Sequence, residues 1–187
     1  MTSRKYRKGD VGERIAYAYR ETNLGGLLMA AADSGVCFAH FGGGMSDLVG
    51  QLQIEFPEAN LAATEKDNTE ELDNWIDALE QHVSAATQCP DLPLDLRGTA
   101  FQIRVWQFLI ALDEGDVLSY SELAQGIDKT KAVRAAASAC GANRIAVLVP
   151  CHRVLRSDGG IGGYRWGVSR KRMLLDMERV RKVGVQL

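Results

Sequence analysis

A cysteine, a histidine and an arginine are neighbours in the last third of the sequence, as Cys151, His152 and Arg153. They follow the apolar run 145–149 and Pro150. A cysteine is a nucleophile only as its thiolate, and a nearby histidine or arginine can lower the thiol pKa from about 8.5 toward neutrality. Adjacent side chains of a strand point to opposite faces, so His152 can assist Cys151 only if Pro150 makes a turn or a water molecule bridges them.

Other interpretations of this trio stay open from the residues alone. A cysteine after an apolar run can be an inert core residue, and a single histidine can be purely structural. A metal site is less favoured, because no further cysteine or histidine lies close enough in sequence to complete a ligand set. Cys37 and His40 have a metal-like spacing but fall in a predicted strand without partners. The four cysteines form no CxxC pair, which is typical of free thiols in a reducing compartment.

The two halves of the chain carry opposite charge. Residues 1–96 hold 7 Lys/Arg and 16 Asp/Glu, whereas residues 97–187 hold 15 and 8, so a total of −2 is made of −9 and +7. A basic half indicates a surface that faces a polyanion, although a basic face in contact with solvent is the plain alternative. The composition, 46% hydrophobic and 25% charged, excludes a disordered or collagen-like chain.

The first half has the pattern of a small sheet with helices. Three strands are predicted at 15–19, 27–31 and 36–41, separated by glycine-containing turns. Two helices follow, one with Leu48, Leu52 and Phe56 at helical spacing and one from about Thr69 into the eighties. The proline-containing segment 89–94 is the predicted linker. We therefore expect a flexible tail over 1–13, an α/β (α+β) domain with a small antiparallel sheet over 14–90, and a second domain over 91–187.

The second half is predicted to be mostly helical. Thr99 and Ser119 each precede a helical pattern as candidate N-caps, and Glu122 completes the spacing of a capping box. The helix after Ser119 and a second one from about Thr130 to Cys140 form a candidate helix-turn-helix. Because the second helix offers mainly methyl groups, it is suited either to a narrow minor groove or to close packing on a core.

The C-terminal half resembles the O6-alkylguanine-DNA alkyltransferases, especially the Ada-type members. The resemblance runs from about Leu94 to Val183 and fainter over 24–60. It rests on residues 94–102, Ser119-Tyr120, 131–135, Pro150-Cys151-His152-Arg153-Val154 and 163–171. It implies a ribonuclease-H-like N-terminal domain and a C-terminal DNA-binding alkyltransferase domain.

The same resemblance assigns roles to individual residues. Cys151 would accept the alkyl group, His152 would deprotonate it through a water molecule, and Glu178 would orient the histidine. Tyr120 would protonate or hydrogen-bond the departing guanine, and Asn143 would anchor the turn around the nucleophile. The DNA-binding residues would be Arg134, which replaces the flipped nucleotide, with Lys131, Ala132, Ala135 and Arg153. The base pocket would be lined by Gly163, Tyr164, Arg165, Val154 and Trp106.

The function implied is a single, irreversible transfer of an alkyl group from O6-alkylguanine, and from O4-alkylthymine, in double-stranded DNA to Cys151 after base flipping. No cofactor and no metal site are expected, and the protein is expected to act as a monomer. Two alternatives are a lesion sensor that binds without transfer, which Cys151 argues against, and a fragment of an Ada-type regulator. Without an apolar run of about 20 residues or a signal core, a membrane role is not expected and the location is predicted to be cytoplasmic, with association to the nucleoid in a bacterium.

Overall fold

The computed structural model describes residues 12–64, 70–85 and 87–184. The chain divides into two compact units. The first holds the residues up to Arg97 together with Arg144–Leu148, and the second holds Gly98–Asn143 and the residues from Val149 onward. An N-terminal sheet unit and a largely helical C-terminal unit are what the sequence predicted.

The N-terminal unit is built on a four-stranded sheet of order β3-β2-β1-β4. The strands β1 (Arg14–Thr22), β2 (Gly25–Ala32) and β3 (Gly35–Gly42) form the antiparallel meander expected from the turns. The strand β4 (Asn60–Ala63) pairs parallel to β1, so the sheet is mixed rather than wholly antiparallel. The strand β4 has only four residues, and they show no strong alternation of polar and apolar side chains, so the sequence did not predict it.

Two helices cover this sheet. Helix α1 (Met45–Glu55) packs on β2 and β3, and helix α2 (Glu70–Ala85) packs on β1 and β2. The main apolar cluster joins Ile15 and Leu28 of the sheet to Leu48 and Leu52 of α1, with Phe38 fully buried among them. The predicted start of α2 at Thr69 lies outside the described residues.

The segment predicted as a linker is part of the N-terminal unit. Val36 N–H donates to Pro93 O at 2.8 Å, and Asp95 N–H donates to Val36 O at 2.9 Å. Gly35 has φ +122°, and a Cβ there would meet Pro93 O at 2.3 Å, so only glycine allows this approach. The boundary therefore falls after Arg97 rather than at residue 90, because backbone pairing with β3 holds the proline-rich segment.

Part of the predicted tail is also held in place. Gly12 N–H donates to Glu58 O at 3.1 Å, and both Glu13 carboxylate oxygens accept from Arg97 at 2.6 and 2.8 Å. The prediction of a loose segment therefore fails at Gly12 and Glu13, whereas residues 1–11 lie outside the described part of the chain.

The C-terminal unit contains short helices that follow the sequence signals closely. These are α3 (Ala100–Ile110), α4 (Tyr120–Gly126), α5 (Val133–Gly141) and α6 (Val168–Gly184). Thr99 and Ser119 form complete capping boxes with Gln102 and Glu122. Helices α4 and α5 pack together as the expected helix-turn-helix, although α5 begins three residues later than predicted. The two-residue strands β5 (Leu118–Ser119) and β6 (Val154–Leu155) pair in parallel. None of the described helices is long and apolar enough to cross a bilayer.

Two tight turns precede Cys151. In the first, Leu148 N–H donates to Ala146 O at 2.8 Å around Val147, whose φ is +68°. In the second, Cys151 N–H donates to Val149 O at 2.8 Å around Pro150, at φ −81° and ψ 58°. The second is an inverse γ-turn, which suits the fixed φ of proline, but the left-handed turn is strained for a β-branched residue. The backbone before the nucleophile is thus bent sharply at two places.

The strain at Val147 can be measured by comparing glycine and alanine substitutions. A left-handed φ costs a non-glycine residue about 1–2 kcal/mol. The difference in unfolding free energy between the glycine and the alanine variant is compared at Val147 and at Val149, which has no positive φ. At Val147 this difference should favour glycine by about 1–2 kcal/mol more than it does at Val149. Urea unfolding of the four variants measures this difference. Equal glycine-alanine gaps at the two positions would show that Val147 is not strained.

Candidate active site

Cys151 lies at the start of a single 3₁₀ turn, Cys151–Arg153, and not in an extended strand. Three residues complete one such turn, so the three side chains point in three different directions. Asn143 fixes the turn from the end of α5, because its Nδ2 donates to Val149 O at 2.9 Å and to Cys151 Sγ at 3.2 Å. The condition set by the sequence, a bend at Pro150, is therefore met.

His152 and Glu178 form a buried pair. The two side chains are 0% and 2% exposed, and Nε2 lies 2.8 Å from Glu178 Oε1. An ionised carboxylate only accepts hydrogen bonds, so Nε2 carries the proton and Nδ1 is the unprotonated nitrogen of the neutral ring. Nδ1 is buried and has no hydrogen-bond partner among the described residues. The available base of this pair is therefore Nδ1.

The charges around this pair favour an ionised acid and a neutral base. Burial alone would raise the pKa of Glu178, but His152 and Arg153 act against it and lower that pKa to about 2. Burial also lowers the pKa of His152, although Glu178 acts in the opposite direction. At neutral pH the arrangement is a carboxylate beside an imidazole that can still take up a proton.

The thiol of Cys151 is protonated in this environment. Burial raises its pKa to about 11, although the hydrogen bond from Asn143 and the charge of Lys171 act in the opposite direction. Within the described residues no hydrogen bond joins Cys151 to His152. A neighbouring histidine or arginine can lower a thiol pKa, but at Cys151 desolvation outweighs such effects, and the resting group is the neutral thiol.

Cys151 opens into a cavity of about 280 Å³. The other lining residues come from α4, α5 and the loop before α6, and they are Tyr120, Ala137, Cys140, Gly141, Gly163, Tyr164 and Arg165. Burial raises the pKa of Tyr120, and negative charge at Cys140 or Cys151 would raise it further. Its phenol therefore stays protonated and can donate a hydrogen bond into the cavity.

The outer side of the helix-turn-helix is basic and exposed. Lys131, Arg134 and Ala135 are exposed, and Ala132 is half-buried at the start of α5. On the inner side, Ala136 and Ala139 are buried. Helix α5 thus uses small residues for both of the purposes that the sequence left open, packing inward and presenting a slim outer surface.

Known proteins are similar to this chain in sequence and in fold. Residues 100–180 match the family model for the DNA-binding domain of 6-O-methylguanine DNA methyltransferase. The bifunctional transcriptional activator/DNA repair enzyme Ada of Escherichia coli is 43% identical over 178 residues, which are 95% of this chain and 49% of Ada. The chain thus spans about half the length of that relative. The crystal structure of Mycobacterium tuberculosis OGT in complex with DNA is 32% identical, with a TM-score of 0.72, and the match covers 89% of this chain and 94% of that one.

This chain belongs to the O6-methylguanine methyltransferase family. The methyltransferase structure from the archaeon Pyrococcus kodakaraensis, at 20% identity and a TM-score of 0.62, shows the same fold.

The structure of this family member brings most of the predicted residues to one place. Cys151, Tyr120, Gly163, Tyr164 and Arg165 line the cavity. Asn143 donates a hydrogen bond to Cys151, and His152 and Glu178 form a second, separate hydrogen-bonded pair at the same 3₁₀ turn.

Three predicted site residues lie elsewhere. Trp106 is buried and donates from its indole N–H to Ala139 O at 2.9 Å, so it supports α5 and does not line the cavity. Val154 is fully buried in β6 and is likewise absent from the lining. Arg153 is corrected as a DNA-binding residue, because its guanidinium is buried on Glu178 and Leu112 O.

Lys171 is a member of the site that the residue-by-residue assignment missed. It is fully buried, and its Nζ donates to Val154 O at 2.6 Å and to Gly163 O at 3.3 Å. Burial lowers its pKa, while negative charge at Cys151 or Cys140 would raise it. The spacing of Lys171, Leu174 and Glu178 marks one helical face, and all three are buried. That periodicity was the available signal.

The protonation state of Cys151 predicts how the thiol reacts with a small reagent. Because only the thiolate reacts and the pKa lies near 11, alkylation of Cys151 by iodoacetamide should still accelerate from neutral pH through about pH 10. Quenched samples digested and weighed by mass spectrometry give the rate at Cys151 alone. A rate that levels off by about pH 8 would show that the resting residue is already a thiolate.

Proposed function

We propose that this protein repairs DNA by moving an alkyl group from O6-alkylguanine, and from O4-alkylthymine, to its own Cys151. The observation that carries the proposal is the position of Cys151 on the wall of a cavity, next in sequence to a histidine whose Nε2 is held by a buried carboxylate. A nucleophile, a base and a residue that orients the base are the parts that acyl and alkyl transfer to a side chain require.

The first step is removal of the thiol proton. In this mechanism a water molecule carries the proton from Sγ to Nδ1 of His152, and the resulting imidazolium is stabilised by Glu178 at 2.8 Å. Because the thiol is neutral at rest, the thiolate forms only as the reaction begins. Asn143 stabilises it by its hydrogen bond to Sγ at 3.2 Å.

In the second step the thiolate attacks the alkyl carbon, an S–C bond forms and the C–O6 bond breaks. The electron pair of that bond passes to the guanine, which takes up one proton and leaves as the neutral base. Tyr120 lines the same cavity as the nucleophile and is protonated, so it supplies the hydrogen bond or proton to the ring. The overall reaction converts a thiol and an alkylated base into a thioether and an unmodified base.

The product limits each molecule to one reaction. A thioether is too stable to be cleaved by an ordinary side chain, so the protein is consumed. The substrate itself supplies the alkyl group, and the reaction as proposed uses no cofactor.

Access to the lesion requires the base to leave the helix stack. We assign this role to the exposed Arg134, which would enter the space that the flipped nucleotide leaves, while Lys131, Ala132 and Ala135 follow the minor-groove backbone. Phosphate contacts of this kind are independent of base sequence, as a search for rare damage needs. The proposed partner is alkylated double-stranded DNA bound by a monomer, and the proposed location is the cytoplasm.

Ada, of which this chain matches about half, is named both an activator and a repair enzyme. A regulatory role as part of a longer protein is therefore a second proposal, and in it Cys151 would still accept the alkyl group. A sensor that binds the lesion without transfer is the competing function, and the reactive geometry of Cys151 argues against it.

Transfer to Cys151 can be tested directly. Incubation with a duplex oligonucleotide that contains one O6-methylguanine should add a single methyl group to Cys151, as seen by intact mass and peptide mapping. With excess duplex, each protein molecule should take up no more than one methyl group. Cys151→Ala is the matched control and should bind the duplex without any gain in mass. Binding by the unaltered protein without methylation would identify a sensor.

Arg134 should affect duplex DNA selectively. Unstacking a base from the duplex costs a few kcal/mol, and the inserted Arg134 side chain would offset part of that cost. Arg134→Ala should therefore slow repair of duplex O6-methylguanine by roughly 10–100-fold and leave the reaction with the free base unchanged. Lys131→Ala is the control, which should lower the affinity for DNA in a salt-dependent way with little effect on the rate at saturation. Equal losses of Arg134→Ala on duplex and free base would exclude a role in flipping.

A further inference from the structure

Arg153 makes more contacts with Glu178 than His152 does. Its Nε lies 3.2 and 3.0 Å from the two carboxylate oxygens, and its Nη2 lies 3.0 Å from Oε1. Its Nη1 donates to Leu112 O at 2.8 Å, in the segment after α3. Gly115 N–H donates to Oε2 at 3.1 Å. The carboxylate is therefore held from three sides, and one of its oxygens is shared between an arginine and the base.

A guanidinium is permanently charged in proteins and matches a carboxylate with a rigid fork of donors. The side chain of Arg153 is 7% exposed and that of Glu178 is 2% exposed, so little water screens them. Under these conditions Arg153 both fixes the orientation of Glu178 and offsets its charge. Each effect reaches His152 through the shared oxygen Oε1.

We propose that Arg153 is a positioning residue of the proton relay, which aims the Glu178 carboxylate at His152 and cancels enough of its charge to keep the imidazole neutral and basic. This inference rests on the proposed function for its effect on transfer. It replaces the sequence-based assignment of Arg153 to DNA.

Other charged and titratable groups near His152 also influence its protonation. Glu178 and Lys171 face it from α6, Cys151 adjoins it in the 3₁₀ turn, and the ring of Tyr164 meets it edge-on at 6.4 Å between centroids. Beyond the carboxylate, Glu114 is paired with Arg181 at 2.7 Å. Glu178 is thus the acid that contacts His152, and Arg153 is the cation that contacts Glu178.

The charge of Arg153 sets the sign of the expected effect. Without it, Glu178 would act on His152 alone and would stabilise the imidazolium, so the pKa of His152 would rise. A histidine that is already protonated cannot accept the thiol proton, and transfer would be lost as the pH falls through the new, higher pKa. A purely structural role for Arg153 would lower the rate equally at every pH.

The test compares Arg153→Gln, Arg153→Lys and the control Arg179→Gln, which alters an exposed arginine next to Glu178 in α6. The rate of methyl transfer from duplex O6-methylguanine is measured against pH, and His152 is titrated by NMR in the same proteins. In Arg153→Gln, both the acid limb of the rate profile and the His152 titration should move up by about one pH unit or more, which is about tenfold in rate on the acid side of the titration. Arg179→Gln should leave both unchanged.

Arg153→Lys separates charge from geometry. It keeps the positive charge and loses the fork, so the acid limb should stay in place while the rate falls by about tenfold at all pH values. It also decides the question if Arg153→Gln does not fold, because a wild-type rate in Arg153→Lys would overturn the positioning role. An unshifted His152 titration in folded Arg153→Gln would overturn the charge role.

The NMR titration distinguishes this inference from the proposed function. If the unaltered protein transfers no methyl group, the proposed function fails, yet the titration of His152 with and without Arg153 still tests the charge balance.

Discussion

The buried carboxylate of Glu178 is the group on which the arrangement of the C-terminal unit depends. It accepts hydrogen bonds from the imidazole of His152, from the guanidinium of Arg153 and from the backbone of Gly115. A lone charge at 2% exposure would be strongly unfavourable, so these donors stabilise the ionised form as a set. Through them α6, the 3₁₀ turn and the segment after α3 are fixed to one another, and the imidazole has one orientation.

Burial also keeps the Cys151 thiol unreactive in the absence of substrate. Desolvation raises the pKa of Cys151 to about 11, although Asn143 and Lys171 favour the thiolate. A thiol that is neutral at rest reacts slowly with small electrophiles, whereas a base already oriented beside it can remove the proton once a substrate fills the cavity. Under the proposed function each molecule reacts once, so low reactivity without substrate is an advantage, because each wasted alkylation removes a molecule.

Local sequence signals predicted the elements that depend on local interactions. The three antiparallel strands followed the turns, Thr99 was recognisable as an N-cap, and the capping box at Ser119 was recognisable from its spacing of three residues to Glu122. The strand β4 and the pairing of Pro93 with Val36 were not predictable, because each depends on a partner distant in sequence. In the site, family resemblance gave the residues, but it could not show that desolvation dominates the thiol, since burial is a property of the fold.

Net charge was a weaker guide than the position of each charge. The half from residue 97 to 187 contains 15 lysines and arginines, but several of them act inside the protein. Arg153 and Lys171 are buried at the site, and Arg144 is paired with Glu55 in the N-terminal unit. The basic side chains around the helix-turn-helix, such as Lys131 and Arg134, are exposed. The charge count therefore predicted a polyanion partner partly from residues that a polyanion cannot touch, and the support comes from the exposed basic residues of the helix-turn-helix.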